Sequence, residues 1–155
     1  FRSGGAKVHL ASGAIGGFDV LQTVTLMAQA QGLPETAGIE THTGAKGFRN
    51  TPVWAEHLLT DTEKTTVFTG NAKQAIATFP RRVNVAVATS LATTGPESTG
   101  VTMHSVPGWV GDDHCITAEI EGVKAVVDIC SSTSAIAGWS AVSLLRNLAS
   151  PVCFY

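Results

Sequence analysis

The clearest structural signal in the chain is the stretch Asp113-His-Cys-Ile-Thr-Ala-Glu-Ile-Glu-Gly-Val-Lys-Ala-Val-Val-Asp-Ile-Cys-Ser131. Two β-type runs flank Gly122, a pattern typical of a hairpin. Pairing across this glycine puts the apolar side chains on one face, with Ile120 opposite Val123, Ala118 opposite Ala125, Ile116 opposite Val127 and His114 opposite Ile129. A slip of one residue would turn Glu119 or Asp128 into the core, so the pattern also predicts the register.

The opposite face of this hairpin is mixed in polarity, and Glu119 stands there opposite Lys124. Such a face is suited to contact with a second subunit. Cys115 and Cys130 are diagonal rather than opposed on it, which argues against a disulfide. The chain has three cysteines and no C-x-x-C spacing, which indicates a reduced, cytoplasmic location.

Hydrophobic periodicity predicts further elements on both sides of the hairpin. The expected strands are residues 7–10, 36–43, 65–69 and 100–106, and the expected helices are residues 17–31, 72–78 and 134–148, with a shorter one near 53–59. Asn71 and Thr133 are the expected N-caps of their helices. Residues 81–94 are either a buried helix or an inner strand, and their length and alanines favour a helix.

Composition limits the classes of protein to consider. With 155 residues, 44% of them hydrophobic, and a net charge of −2, the chain is expected to form one domain, residues 1–155. Charged residues make up only 14%, against about a quarter in typical soluble domains, so a partner chain or a missing domain is expected to cover some surface. The chain lacks the basic excess that would predict nucleic-acid binding. It also lacks an apolar run of about 18 residues that would predict a membrane span. The chain starts at Phe1, so we expect a fragment or a processed product.

A glycine-rich turn, residues 10–19, joins the first expected strand to the first expected helix. Its spacing fits neither G-x-G-x-x-G nor G-x-x-x-x-G-K-[ST], which argues against a nucleotide-phosphate site. The pattern favours a plain tight turn, with ligand contact as the alternative.

Histidines are the candidate acid–base groups. His114 ends the apolar row of the hairpin, and Asp112, two residues earlier, is positioned to orient its imidazole or raise its pKa. General acid–base catalysis and a core-capping role are both compatible with this position. His9 and His57 lack clustered partners, and His42 is expected to point to solvent, so the sequence predicts no metal site.

Polar residues near 80–84 form a second candidate group. Arg81 and Arg82 suit either a carboxylate or phosphate contact or a solvated pair, and the solvated pair is favoured. Asn84 enters an apolar run, so its amide is expected to find a hydrogen-bond partner in the backbone or in a ligand.

Four patches in this order carry a family resemblance: residues 12–19, residues 79–86, the His114 hairpin, and Thr133-Ser134-Ala135. Together they resemble the C-terminal, substrate-side domain of the L-aspartate dehydrogenase family. The resemblance implies an α+β fold of the dihydrodipicolinate-reductase-like kind, an open mixed and largely antiparallel sheet with helices packed on one face. It also implies pairing of subunits through the other sheet face into a homodimer, and an N-terminal Rossmann domain that is absent from this chain.

The chemistry that the resemblance implies is NAD(P)-dependent oxidation of L-aspartate to iminoaspartate, which water hydrolyses to oxaloacetate and ammonia. His114 matches the family's acid–base histidine. The implied substrate-side residues are Ser12, Gly13, Ala14, Thr133 and Ser134, and those near the nicotinamide are Ala14 and Asn84. The residues that choose between NAD and NADP lie in the other domain, which the isolated domain needs for activity.

Two departures from the family pattern concern the substrate. Asp112 replaces an asparagine common in relatives, and Cys130-Ser-Ser replaces an Asn-Pro-Lys type of sequence, which removes a cationic contact. Two alternatives therefore stay open: a related dehydrogenase with another amino acid substrate, and a non-enzymatic dimerisation or ligand-binding module of the same fold.

Overall fold

The computed structural model describes residues 4–154. Its helices and strands follow in the order α1 (Phe18–Gln31), β1 (Thr36–Thr43), β2 (Thr65–Asn71), α2 (Ala72–Thr78), α3 (Asn84–Ala92), β3 (Gly100–Ser105), β4 (Asp112–Ile120), β5 (Val123–Ser131) and α4 (Ala135–Ala149). Two short 3₁₀ helices, Ala45–Phe48 and Glu56–Leu59, lie between β1 and β2. The α+β class is confirmed.

The five strands form one open sheet in the order β2-β3-β1-β4-β5. β1 and β3 are parallel, and the other neighbouring pairs are antiparallel. The hairpin register is confirmed, since Ile120 pairs with Val123 and His114 pairs with Ile129. On the opposite face, Lys124 Nζ lies 3.1 Å from Glu119 Oε2. Side-chain alternation thus fixes β4 and β5 as the sequence predicts.

The core lies on one face of the sheet, beneath α1 and α3. Leu21 and Val24 of α1 are buried against apolar side chains of the central strands, which include Ile39, Val101 and Ile116. Residues 81–94 contain a helix, α3, as favoured. Asn71 caps α2 as predicted, because its side chain accepts a hydrogen bond from Gln74 N while the Gln74 side chain accepts one from Asn71 N. We refer to the other sheet face, which carries Glu40, His42 and His104, as the open face.

Three expectations are wrong. Residues 7–10 form no strand and are exposed, because they do not join the sheet. His42 does not point freely to solvent: its side chain is 19% exposed, because its imidazole stacks on His104, with ring centroids 4.8 Å apart. Thr133 is followed by Ser134 at the cap position of α4, although Thr133 Oγ1 still accepts a hydrogen bond from Ala135 N at 3.2 Å.

Helix α4 forms where the apolar stripe predicts it but has no buried residue. Trp139 is 70% exposed and Leu145 is 65% exposed. Within residues 4–154, no helix combines the length and apolar character needed to cross a bilayer.

Candidate active site

The glycine-rich turn lies against the end of the hairpin. Ile15 N donates to Ser12 O at 3.1 Å, which closes the turn. Gly17 has a φ of +68°, and a β-carbon there would overlap the side chain of Val127. A β-carbon at Gly16 would lie 3.5 Å from Ile129 Cδ1. Glycine therefore allows the turn to pack directly on β5, next to the cross-strand neighbour of His114.

Helix α4 holds the same turn from the other side. Gly13 N donates to Ser140 Oγ at 2.9 Å, and Ser140 Oγ donates to Ala137 O at 2.7 Å. The amide of Gly13 is therefore already used inside the protein. A ligand would contact this turn through the Ser12 hydroxyl or the rest of its backbone.

His114 is buried at the same end of the sheet, with 6% of its surface exposed. Its Nδ1 lies 3.0 Å from Thr41 Oγ1 on the neighbouring strand β1. Asp112 is the orienting group expected from the sequence, but the observed partner of Nδ1 is the Thr41 hydroxyl. This contact joins β1 and β4 on the core face of the sheet.

Burial lowers the pKa of His114 from its ordinary value of 6.5. The carboxylates of Asp112 and Asp113 act in the opposite direction without reversing the shift. Asp112 therefore acts in the expected direction, but the net shift is downward because loss of hydration of the imidazolium is the larger effect. The neutral imidazole dominates near neutral pH, which is the form that accepts a proton.

Thr133 and Ser134 follow β5 at this same end and are exposed. Ser131, which pairs with Asp112, fixes the segment before α4, because its Oγ donates to Thr133 O at 2.8 Å. The hydroxyl of Thr133 and the start of α4 therefore lie beyond the strand ends that hold His114.

A cleft of about 490 Å³ brings Ser12, Gly13 and Asn84 together, with Arg81 on its rim. A second cleft of about 560 Å³ adjoins it and is lined by Ser12, Phe18, Ser140 and further residues of α3 and α4. Ala14, His114, Thr133 and Ser134 are not among the lining residues of either cleft. The turn links the two groups, since it lines the clefts and also packs beside the partner strand of His114.

Asn84 differs from its expected environment, whereas Arg81 and Arg82 match theirs. Asn84 is exposed at the first turn of α3, so its amide needs no internal partner. Arg81 and Arg82 are both exposed, as the favoured solvated reading expects. Arg82 Nη1 donates to Gly47 O, whereas Arg81 lines the cleft beside Asn84. Sequence reasoning did not identify Thr41, although its place beside Ile39 in the inward row of β1 is a signal for a polar group in the core.

Comparisons with known proteins point to one family. The family model described as aspartate dehydrogenase, C-terminal, matches residues 24–148. L-aspartate dehydrogenase 3 of Bordetella bronchiseptica is 29% identical over 98% of this chain and 58% of its own length. The L-aspartate dehydrogenase of Methanosarcina acetivorans is 34% identical over 94% of this chain and 56% of its own length.

A solved structure supports the same relationship. The crystal structure of aspartate dehydrogenase from Thermotoga maritima superposes with a TM-score of 0.76 at 29% identity, covering 97% of this chain and 57% of that one. The chain thus spans about half the length of the relatives it matches.

Proposed function

Because the chain belongs to the family of aspartate dehydrogenase C-terminal domains, we propose that it is the substrate-side domain of an NAD(P)-dependent L-aspartate dehydrogenase. The observation that carries this proposal is the buried His114 on β4, held through Nδ1 by the Thr41 hydroxyl of β1. A buried, oriented imidazole with a lowered pKa is suited to accept a proton near neutral pH.

The proposed chemistry assigns proton transfer to His114. Bound nicotinamide would supply the acceptor for the hydride that leaves the α-carbon of aspartate. As the C–H electron pair leaves, the amine nitrogen forms a double bond to carbon and gives up a proton. With its Nδ1–H donating to Thr41 Oγ1, His114 presents the lone pair of Nε2 as the base for that proton or for a proton of the water that hydrolyses the imine.

Polar groups of the glycine-rich turn and of the start of α4 are the proposed substrate contacts. Ser12, Gly13 and Ala14 form one wall, and Thr133 and Ser134 offer hydroxyls next to the first turn of α4, where exposed N–H groups favour a carboxylate. Arg81 adds a cation to the lining of the smaller cleft, which it shares with Ser12 and Gly13. A dicarboxylic acid would use such a combination of cation, hydroxyls and helix start.

The cleft residues fit one side of a nicotinamide rather than a whole dinucleotide. Asn84 offers an exposed amide that can both donate and accept hydrogen bonds, matching a carboxamide, and Ala14 lies in the adjoining turn. The chain carries no dinucleotide fingerprint for the pyrophosphate. We therefore assign most NAD or NADP contacts to an N-terminal Rossmann domain outside residues 1–155.

Exposed apolar side chains support coverage by such a second domain. Trp139 and Leu145 of α4 are 70% and 65% exposed, and Phe154, which lines the larger cleft, is 79% exposed. Apolar groups gathered beside a cleft are typical of an interdomain contact. The isolated chain is accordingly expected to show no turnover.

The test is an assay of the intact protein against a panel of amino acids with NAD and with NADP, following cofactor reduction. L-aspartate is expected to give the highest kcat/KM with one of the two cofactors. Preference for another amino acid would instead support the related-dehydrogenase alternative raised by Asp112 and Cys130. A folded protein that reduces neither cofactor with any amino acid would favour the non-enzymatic module.

We also propose a cytoplasmic homodimer that pairs through the open face. Val126 supports this, because it is 54% exposed on that face between polar neighbours.

Val126→Glu is expected to weaken the dimer at least tenfold, because a charge would be buried in the contact. Analytical ultracentrifugation of both variants measures the effect. Val20→Glu is the matched control, because Val20 is a 42% exposed valine on α1, away from the open face. A monomeric wild type at micromolar concentration, or equal effects of both variants, would contradict the proposal.

A further inference from the structure

Three side chains with metal-binding atoms converge on the open face, on the side of the sheet away from His114. Glu40 and His42 come from β1, and His104 comes from β3, where the parallel register places it beside His42. Glu40 Oε1 lies 2.7 Å from His104 Nε2 and 3.2 Å from His42 Nε2. One candidate donor atom from each residue falls within 4.8 Å of the other two.

The outer nitrogen of each imidazole has a polar neighbour. His104 Nδ1 lies 3.0 Å from Thr66 Oγ1 on β2. His42 Nδ1 lies 3.4 Å from Asp113 Oδ2 on β4, an ionic contact without a hydrogen bond among the described residues. Metal-binding histidines commonly contact a hydroxyl, carbonyl or carboxylate through the ring nitrogen that does not bind the ion, which orients the ring. Four adjacent strands therefore contribute to one arrangement.

His104 is the strongest sign that this arrangement has a ligand. It is 94% buried, with 6% of its surface exposed, and its Nε2 is aimed at Glu40 and His42. Nε2 lies 2.7 Å from Glu40 Oε1, an ion-pair distance, and among the residues that the structure describes it has no hydrogen bond of good geometry. A buried polar atom without a partner costs stability unless another species satisfies it.

We propose that Glu40, His42 and His104 bind a divalent transition-metal ion of the zinc class on the open face. Two imidazoles and one carboxylate are a donor set that Zn²⁺ accepts, with bonds of about 2.0–2.2 Å. Tetrahedral bonds of that length separate donor atoms by roughly 3.3–3.5 Å, so shifts on the order of 1 Å bring these three into position. In the single chain, the fourth position is open to water or to another ligand.

The ammonium group of Lys64 competes with the proposed ion for Glu40 and His42. Its Nζ lies 3.6 Å from Glu40 Oε1 and 3.4 Å from His42 Nε2, and its side chain is half exposed. An ammonium and a metal ion repel each other at such distances. Lys64 precedes β2 and has solvent to move into when the ion binds. Lys64→Gln is therefore expected to tighten metal binding severalfold. If the cluster only forms contacts with Lys64, this variant would show no increase in metal affinity.

The experiment is titration of the metal-free chain with Zn²⁺ by calorimetry, repeated with Co²⁺ to record its visible spectrum. One equivalent of Zn²⁺ is expected to bind, and Co²⁺ is expected to show the intense bands of a four-coordinate ion. His42→Ala, His104→Ala and Glu40→Gln are each expected to weaken binding at least tenfold, in line with the 10–100-fold losses that even outer contacts produce. Glu40 is half-buried, so its variant tests the site even where loss of His104 impairs folding.

Two control variants separate this site from other donors. His57 and Asp61 form a comparable exposed pair, with Nδ1 and Oδ2 3.2 Å apart, so His57→Ala is expected to bind Zn²⁺ as the wild type does. Cys115 pairs with Glu40 across β1 and β4, and Cys115→Ser is likewise expected to retain binding. Absence of stoichiometric binding, or binding that survives in Glu40→Gln and His42→Ala, would overturn the proposal. Binding is read without any enzymatic activity, so its outcome is independent of the proposed function.

Discussion

Replacing His114 by alanine in the intact protein is expected to lower kcat for aspartate oxidation about a hundredfold or more. The proposed role is proton transfer, and the Thr41 hydroxyl that faces Nδ1 cannot replace the imidazole, because it does not titrate near neutral pH. Circular dichroism and thermal unfolding would show that the variant stays folded. Rapid turnover of aspartate by the folded variant would remove the role assigned to His114.

The pH dependence of the rate is a second test of the role of His114. Burial places the pKa of His114 below 6.5, and the proton-accepting form exists above that pKa. The wild-type kcat/KM is therefore expected to fall as the pH drops through this lowered pKa, and this acid limb is expected to disappear in the residual activity of His114→Ala. His57→Ala, at an exposed histidine far from the strand end in sequence, is the control and should keep both the rate and the limb.

Local patterning explains which parts of the fold were predictable. The hairpin register follows from alternation along residues 113–131, because only one register keeps Glu119 and Asp128 out of the core. The Asn71 cap follows from chemistry within four residues. Residues 7–10 have the same local pattern as a strand, but a strand also needs a neighbour with free backbone groups, and local sequence carries no information about that.

Non-local pairing explains what the sequence did not reveal about the sites. Thr41 meets His114 only because β1 and β4 are neighbours, and the two residues are 73 positions apart. His42 sits on the face that alternation marks as wetted, so solvent was the natural expectation. The parallel pairing of β1 with β3 brings His104 to it and creates a cluster that no spacing within β1 reveals. The roles assigned to Ser12, Asn84 and Thr133 stay predictions.

Helix α4 shows the same limit for an interface. Its apolar stripe predicts the helix correctly, but periodicity cannot tell which molecule or domain covers the stripe. The low fraction of charged residues and the exposed stripe agree with each other, since surface that is covered in the whole protein has little need of charge.

Replacing Gly111 by alanine is expected to be the most damaging single methyl addition at this end of the sheet. Gly111 has a φ of +89°, and a β-carbon there would overlap Ser131 O and lie 2.6 Å from Ser132 Cα. These are backbone atoms that no change of rotamer moves. Thr43 Oγ1 also donates to Gly111 O at 3.2 Å, which holds the glycine from the side of β1. The start of β4 must therefore separate from the end of β5.

Gly108 provides a control for the conformational part of this effect, because its φ is +69° and no atom lies within 4 Å of its added β-carbon. Gly108→Ala is expected to lower the free energy of unfolding by about 1 kcal/mol, the usual cost of a left-handed conformation. Gly111→Ala adds the steric overlap and is expected to cost roughly 3 kcal/mol or more. Urea unfolding of both variants measures the difference, and equal losses would show that the backbone around Ser131 yields without cost. Ser131 pairs with Asp112 on the strand of His114 and precedes Thr133 by two residues. The junction at Gly111 therefore supports both the proposed acid–base group and the start of α4.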